Sequence, residues 1–402
     1  MQLAWGRAGS EGVTARRVAI TGLGILSCCG VGKDAFWDGL CGPAPNGERR
    51  VVGFDPSRWL GPKEVRRVDR FGQLTVAAAD MALEDAGGVE VDPERAGVVM
   101  GTGAGGIETL ETQFAVERDR GSERVSPFLV PMMMLNAGAA QVSMRTGWRG
   151  PCEAVSTACA TGTHAVANAA RLIASGRCEA MLAGGAEGSM IAAASAALRK
   201  TTAISQCGIS RPFDARRDGF LQAEGAAVLV LEDLERARAR GAHVYAEITG
   251  AASNADAHHV TIPAPGGSGA AACMELALAD ADLSPGQIGH INAHGTSTLL
   301  NDAAEAEAIA KVFGPPGPPL TSIKGVTGHA MGAAGAIEAV SVALTIERGL
   351  IPPTAGYEQP DPDIHLDVVA GAPRRWEPAP VLSNSFGFGG HNGCLVVAPV
   401  HD

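Results

Sequence analysis

Short runs of branched apolar residues recur along this chain, and longer alanine-rich stretches stand between them. The short runs read as strands buried on both faces, and the stretches between them as helices. The pattern predicts strands at 17–21, 96–100, 180–183, 227–231, 245–248, 290–293 and 394–397. It predicts helices at 63–85, 162–175, 234–240, 269–279 and 303–312. Such alternation belongs to the α/β class. Pro315-Pro316-Gly317-Pro318-Pro319 must be a loop, because prolines this dense bar helix and central strand alike.

A weak internal echo divides the chain. An apolar run, a small-residue elbow at Cys159 and an Ala-rich helix come first. Leu320-Thr321-Ser322-Ile323, the segment 324–329 and a second Ala-rich helix from Ala330 repeat that layout. We place the boundary near Gly250, giving an N-terminal half at 17–250 and a C-terminal half at 251–402. The polar opening, 1–16, is expected to be flexible.

Composition narrows the class. The 402 residues are 46% hydrophobic, enough for a large core, but only 4% aromatic with 53 glycines, so Ala, Val, Leu and Ile must pack it closely. A net charge of −11 opposes a nucleic-acid binder. Nine cysteines without a CxxC pair, one pair being adjacent (Cys28-Cys29), fit a reducing cytoplasmic setting. The apolar segment 18–31 is too short and glycine-broken to span a membrane. No membrane association is therefore expected.

Chemistry enters at Cys159, in Ser156-Thr157-Ala158-Cys159-Ala160-Thr161-Gly162. A cysteine at a helix mouth meets unpaired N–H groups and the positive dipole end, both of which favour thiolate. From the local sequence a nucleophile and a packed thiol both remain open. His294 ends an apolar run within Asn292-Ala293-His294-Gly295-Thr296, where α/β folds present side chains to a cleft. His329 follows Gly328 at a second helix mouth. His164, inside the helix after Cys159, reads as packing.

Zinc is the alternative use of one Cys and two His, but no ligand pair at i, i+3 or i, i+4 supports it. Gly101-Thr102-Gly103-Ala104-Gly105-Gly106 fits GxGxxG after a strand, yet no acidic residue follows at ribose spacing. A tight turn at a crowded interface is the better reading. Near the end, Ser383-Asn384-Ser385-Phe386-Gly387-Phe388-Gly389-Gly390 can aim backbone N–H groups into a cavity, form a hairpin, or do both.

Taken together, Ser156-Thr157-Ala158-Cys159, Asn292 to Thr298, Lys324 with Gly328-His329, and Asn384 to Gly390 resemble the β-ketoacyl-acyl-carrier-protein synthases of the thiolase-like superfamily. Arg211-Pro212-Phe213-Asp214, Asp218-Gly219-Phe220 and Glu224-Gly225 add to the resemblance, which runs from about Arg17 to Pro399. It implies a duplicated αβαβα layered fold. It implies decarboxylative Claisen condensation of malonyl-carrier protein with an acyl chain on Cys159. His294 and His329 would bind the malonyl thioester carbonyl, Lys324 would support them, and Glu338 would be its acidic partner. Phe388 and Cys159 would supply oxyanion N–H groups, with Phe388 gating access. Thr296, Thr298 and Phe386 would line the substrate path. No cofactor is implied beyond phosphopantetheine on an acyl carrier protein, and no metal.

The resemblance also assigns a docking face. Lys63, Arg66, Arg67 and Arg70 recur at i, i+3, i+4 and i+7, one face of a single helix, and Arg124 adds a contact for an acidic carrier protein. Several positions depart from common members. Ala104 replaces a bulkier aliphatic at the acyl pocket, His391 a frequent Thr, Leu299-Leu300 a Pro-containing turn, and Gln222-Ala223 smaller residues. The segments 30–37 and 54–56 look closer to ketosynthases of dissociated polyketide systems, which pair with a homologous chain-length subunit. A fatty-acid-elongating homodimer is the near alternative. A thiolase would need a second cysteine, for which Cys394 sits inside a strand pattern, and a non-catalytic subunit would lack Cys159.

Overall fold

The computed structural model describes residues 15–45, 47–201 and 203–401, so most of the segment 1–16 lies outside the described residues. Ten strands form one mixed sheet: β1 (Val18–Ser27), β2 (Ala96–Gly101), β3 (Cys152–Val155), β4 (Ala180–Glu187), β5 (Gly225–Asp233), β6 (Ala246–Ala255), β7 (His290–Asn292), β8 (Leu320–Thr321), β9 (Val381–Gly387) and β10 (His391–Ala398). Their order is 3-2-4-5-1-6-10-9-7-8, with a short strand Gly30–Val31 beside β1. Counted from either edge the order is the same, and so is the direction. In each half the first two pairings are parallel and the last two antiparallel. The faint echo in sequence is thus a repeated topology. The halves meet where Val18–Ile20 of β1 pairs with Ala246–Ile248 of β6, and β6 runs through Gly250 without a break.

Helices complete five layers. α1 (Arg70–Asp85) and α2 (Ala137–Thr146) cover the outer face of the first half-sheet, and α4 (Ser268–Asp280) and α5 (Leu299–Phe313) that of the second. α3 (Thr161–Ala174) and α6 (Ala334–Arg348) lie between the half-sheets. Strand residues alternate accordingly: Val99, Leu229 and Leu395 face the central helices, whereas Val98, Val230 and Val396 face outward. Every residue of α6 from Ala334 to Ile346 is buried. A helix enclosed on all sides needs no exposed polar stripe, which explains why small and apolar residues dominate it and why its Glu338, Ser341 and Thr345 are buried as well. The central helices touch through glycine. A Cβ on Gly162 would lie 2.5 Å from the Ala336 nitrogen, and one on Gly335 would lie 2.2 Å from Thr163 Oγ1. This contact brings the two helix mouths, and whatever precedes them, side by side.

The predicted helix over 63–85 is corrected. Pro62–Val65 is one short helix and α1 begins at Arg70. Asp69 breaks the run by capping α1, accepting from the Phe71 N–H at 3.2 Å and from Thr109 N and Oγ1 at 3.0 and 2.5 Å. The four cations therefore do not share one helical face. Lys63, Arg66 and Arg67 are exposed, as is Arg124. Arg70 is instead bound to buried Glu224 at 2.7 Å, and Arg67 lies over the Phe128 ring at 4.2 Å. No helix among the described residues is long and apolar enough to cross a membrane.

Candidate active site

Cys159 occupies a sharp turn between β3 and α3. Ala158, just before it, adopts φ 51°, a left-handed backbone that an alanine enters at a cost of about 1 kcal/mol. The turn is held by Thr161 Oγ1, which accepts the Thr157 N–H at 2.7 Å. Gly387 of β9 lies directly over it: a Cβ there would come within 3.1 Å of the Cys159 nitrogen. His294 follows β7, and Ser297 just beyond has φ 68°; His329 precedes Met331 at φ 43°. Backbone strain is thus concentrated around all three residues, where packing of the two halves over-determines the chain.

The three groups converge. His329 Nε2 lies 3.0 Å from Cys159 Sγ, and Sγ and one nitrogen of each imidazole fall within 4.8 Å of one another. The His294 and His329 rings meet edge to face with centroids 5.5 Å apart, and Phe220 and Phe386 brace them at 5.0 and 5.9 Å. All three line a cavity of about 530 Å³ together with Thr296, Thr298, Phe386 and Phe388. Thr296 and Thr298 hydroxyls bond each other at 2.9 Å. Ala104 does not line this cavity.

Lys324 is buried and donates to the His294 carbonyl at 2.6 Å, to His294 Nδ1 at 3.3 Å and to Glu338. An ammonium only donates, so His294 Nδ1 accepts and the ring proton resides on Nε2. The same ammonium opposes a divalent cation at this trio, and no fourth Cys, His, Asp or Glu joins it among the described residues. Burial, reinforced by Lys324, holds both imidazoles well below their ordinary value, so they are neutral.

Cys159 differs from expectation. Burial pushes its thiol up to about 11, although Lys324 and the donated Phe388 N–H pull the other way. The resting group is therefore a thiol, with His329 Nε2 placed to take its proton.

Other residues were missed or undervalued in the sequence. Glu305 on α5 accepts the His294 and Gly295 N–H groups at 2.8 and 2.7 Å, fixing the end of β7. A carboxylate on the apolar face of an alanine-rich helix was the available signal. His164 does more than pack: Nδ1 meets Thr157 Oγ1 at 2.8 Å and Nε2 the Asn392 carbonyl at 3.1 Å, tying the elbow to the β9–β10 hairpin. That hairpin and a cavity-facing Phe388 coexist, as both readings of the glycine-rich segment allow. The GxGxxG loop holds no open phosphate cradle. Glu187 fills that place, accepting from the Gly103 N–H at 2.8 Å and the Gly332 N–H at 3.1 Å. Cys394 is buried in the outer core of the second half, 3.3 Å from Asn384 Oδ1, and does not line the cavity.

Known proteins resemble this chain in sequence and in fold. Residues 42–237 match the family described as beta-ketoacyl synthase, N-terminal domain, and 245–358 its C-terminal domain. A 3-oxoacyl-[acyl-carrier-protein] synthase 2 from Synechocystis sp. is 39% identical, covering 94% of this chain and 97% of that protein. The solved ishigamide ketosynthase/chain length factor superposes with TM-score 0.90 at 34% identity, covering 96% of this chain and 100% of that one. A type II polyketide ketosynthase bound to its hexaketide, in complex with its acyl-carrier protein, gives TM-score 0.87 at 31% identity, with the same coverage.

Proposed function

The chain belongs to the β-ketoacyl synthase family and is a condensing acyltransferase of the β-ketoacyl-acyl-carrier-protein synthase type; from that premise we propose that Cys159, His294 and His329 carry out decarboxylative condensation. The observation that carries this reading is the 3.0 Å approach of His329 Nε2 to Cys159 Sγ in a cavity that His294 also lines. Cys159 Sγ attacks the acyl thioester of a carrier protein while His329 takes the thiol proton. The N–H groups of Phe388 and Cys159 hold the tetrahedral oxyanion, and the pantetheine thiol leaves with that proton. Malonyl thioester then enters with its carbonyl oxygen against the Nε2–H of His294, and His329 joins as second donor in its Nε2–H tautomer, which exchange of its ring proton with solvent restores once Nε2 has passed on the thiol proton. Carbon dioxide departs, the bond's electron pair passes into an enolate held by those donors, and the enolate carbon attacks the Cys159 thioester, releasing the thiolate. Lys324 and Glu338 hold the His294 tautomer, while Thr296, Thr298 and Phe386 face the pantetheine path.

The carrier protein is an acyl carrier protein, as in the names of the relatives and of one solved complex. Lys63, Arg66, Arg67 and Arg124 offer it cations, with Arg70 already held by Glu224. Incubation with an acyl-loaded carrier protein should give an acyl adduct on Cys159 by mass spectrometry; its absence would sink the proposal.

We propose further that the chain is the catalytic subunit of a type II polyketide synthase working with a chain-length subunit, a reading the ishigamide ketosynthase/chain length factor likeness supports. Identity of 39% to a 3-oxoacyl-[acyl-carrier-protein] synthase 2 favours a second reading, a homodimer that elongates fatty acids. Size-exclusion mass, and co-purification with a homologous second chain, separate the two.

Two outcomes follow. Since both imidazoles titrate well below 6.5, malonyl decarboxylation should stay level between about pH 8 and about pH 6. A half-loss centred near 6.5 would mean that neither ring is held neutral by burial. Ala104 lies in the loop held by Glu187, whose carboxylate also receives the Ala104 N–H. In this reading the acyl chain extends past the cavity of about 530 Å³ to Ala104, so Ala104→Ile should shorten products by about one two-carbon unit by taking up that further volume. An unchanged chain length would remove Ala104 from the pocket.

A further inference from the structure

We propose that Glu187 is a positioning residue for the condensation, holding His329 against Cys159 by tying the turn after the imidazole to the loop beside the cysteine elbow. Glu187 ends β4 and is wholly buried. One of its oxygens, Oε2, accepts the Gly103 N–H at 2.8 Å and the Gly332 N–H at 3.1 Å. Gly103 stands in the first half of the chain, in the loop after β2. Gly332 stands in the second, in the one-turn helix Met331–Ala333 just past His329. A single oxygen therefore bonds both halves beside the reacting groups.

The backbone around this oxygen is crowded. A Cβ on Gly103 would lie 2.7 Å from Oε2, one on Gly332 would lie 2.3 Å from the Gly103 nitrogen, and one on Gly185 would lie 2.7 Å from the Gly332 carbonyl oxygen. Three glycines thus set bare backbone around the carboxylate, an approach that a side chain would block. From Gly103 the link continues to the elbow. The Thr102 N–H donates to the Val155 carbonyl at 3.2 Å, and Ser156 Oγ to the Gly103 carbonyl at 3.5 Å. From Gly332 it continues back through Met331 to His329. Met331 has φ 43°, a left-handed backbone that a methionine keeps only where its neighbours hold it. The His329 N–H is bound to the Leu221 carbonyl at 2.7 Å, and Glu187 fixes the chain on the far side of the same residue. Held at both sides, the imidazole keeps its 3.0 Å approach to Sγ.

This inference rests on His329 taking the Cys159 proton, and its test separates the two. Transfer from an acyl-loaded carrier protein to Cys159 is timed by mass spectrometry in the full chain, in Glu187→Met, in His329→Ala and in the double variant. His329→Ala should slow loading by about 10²-fold or more. Glu187→Met strips two N–H groups of their acceptor and should slow loading by about 10²-fold, the scale on which a misplacement of about 1 Å is felt, with the half-saturating carrier-protein concentration held within about twofold. In the His329→Ala background the same substitution should cost no more than about twofold, because no imidazole remains to be misplaced. Glu187→Gln, whose amide oxygen can accept both N–H groups, should bring loading back to within about threefold of the parent. Glu187→Asp keeps the charge but draws the oxygen back by one methylene. It should lose about tenfold, and it runs the same cycle if the methionine variant does not fold. An equal cost with and without His329 would overturn the positioning role, as would a Glu187→Gln loss as large as that of Glu187→Met. A His329→Ala chain that loads at the parent rate would overturn the proton-transfer reading itself, and the inference with it.

Discussion

Cys159→Ala is expected to lower C–C bond formation by about 10⁴-fold or more, the scale on which enzymes lose activity with their nucleophile. Malonyl decarboxylation should survive within about tenfold, because the enolate donors on His294 and His329 do not need the sulfur. The elbow should also survive. Ala158 keeps its strained φ, the Thr161 hydroxyl still binds the Thr157 N–H at 2.7 Å, and alanine leaves a void of one sulfur atom, worth about 1 kcal/mol. Carrier-protein assays that follow carbon dioxide and condensed product separately will tell. Loss of both activities would mean that the cysteine is structural, and retention of both would place the nucleophile elsewhere.

Lys324→Met is expected to cut decarboxylation by about 10²–10³-fold, since His294 Nδ1 loses the donor that keeps its proton on Nε2. Stability should fall by about 3–5 kcal/mol, the typical result of stranding one member of a buried ion pair. Glu338 would be left with the Ser385 hydroxyl at 3.5 Å. Burial already raises its pKa, and removing the ammonium raises it further. The native state of the variant then holds a proton that the unfolded chain releases, so its stability is lost as pH rises through the folded value and recovered as pH falls. Melting temperature should therefore lie closer to that of the parent at pH 6 than at pH 8 (about two units apart on either side of neutrality). Lys324→Met with Glu338→Leu should regain most of the stability and none of the rate. A double variant that regained activity would show that the pair serves packing alone.

Much of this was legible in the chain because buried strands announce themselves. Val98-Val99-Met100 and Leu229-Val230-Leu231 can hardly be anything else between two helical layers. β3 is visible only as the run that leads into the Cys159 elbow and carries no residue range among the predicted strands, since Cys152, Glu153 and Ala154 lie exposed at the sheet edge. β9 escaped notice for the opposite reason: its serines and asparagine are buried, with Ser383 Oγ accepting from Asn292 Nδ2 at 3.0 Å and Asn384 reaching Glu305 at 3.3 Å. Helical spacing across 63–85 was overruled by a single cap, Asp69. The convergence of Cys159 with the two imidazoles was visible only through resemblance, because no local pattern reveals which loops a duplicated topology will bring together. The protonation of Cys159 was misjudged since desolvation, a property of the finished fold, outweighs the helix mouth that local sequence does reveal.

The sulfur and the imidazoles belong to opposite repeats, joined by the β1–β6 strand pairing, the Gly162–Gly335 helix crossing and an apolar core to which both repeats contribute. Any shift of one repeat against the other alters the 3.0 Å Sγ–Nε2 separation directly, and a misplacement of about 1 Å can cost two orders of magnitude in rate. Competence is therefore the first thing such a seam surrenders, and inactivation should run ahead of unfolding.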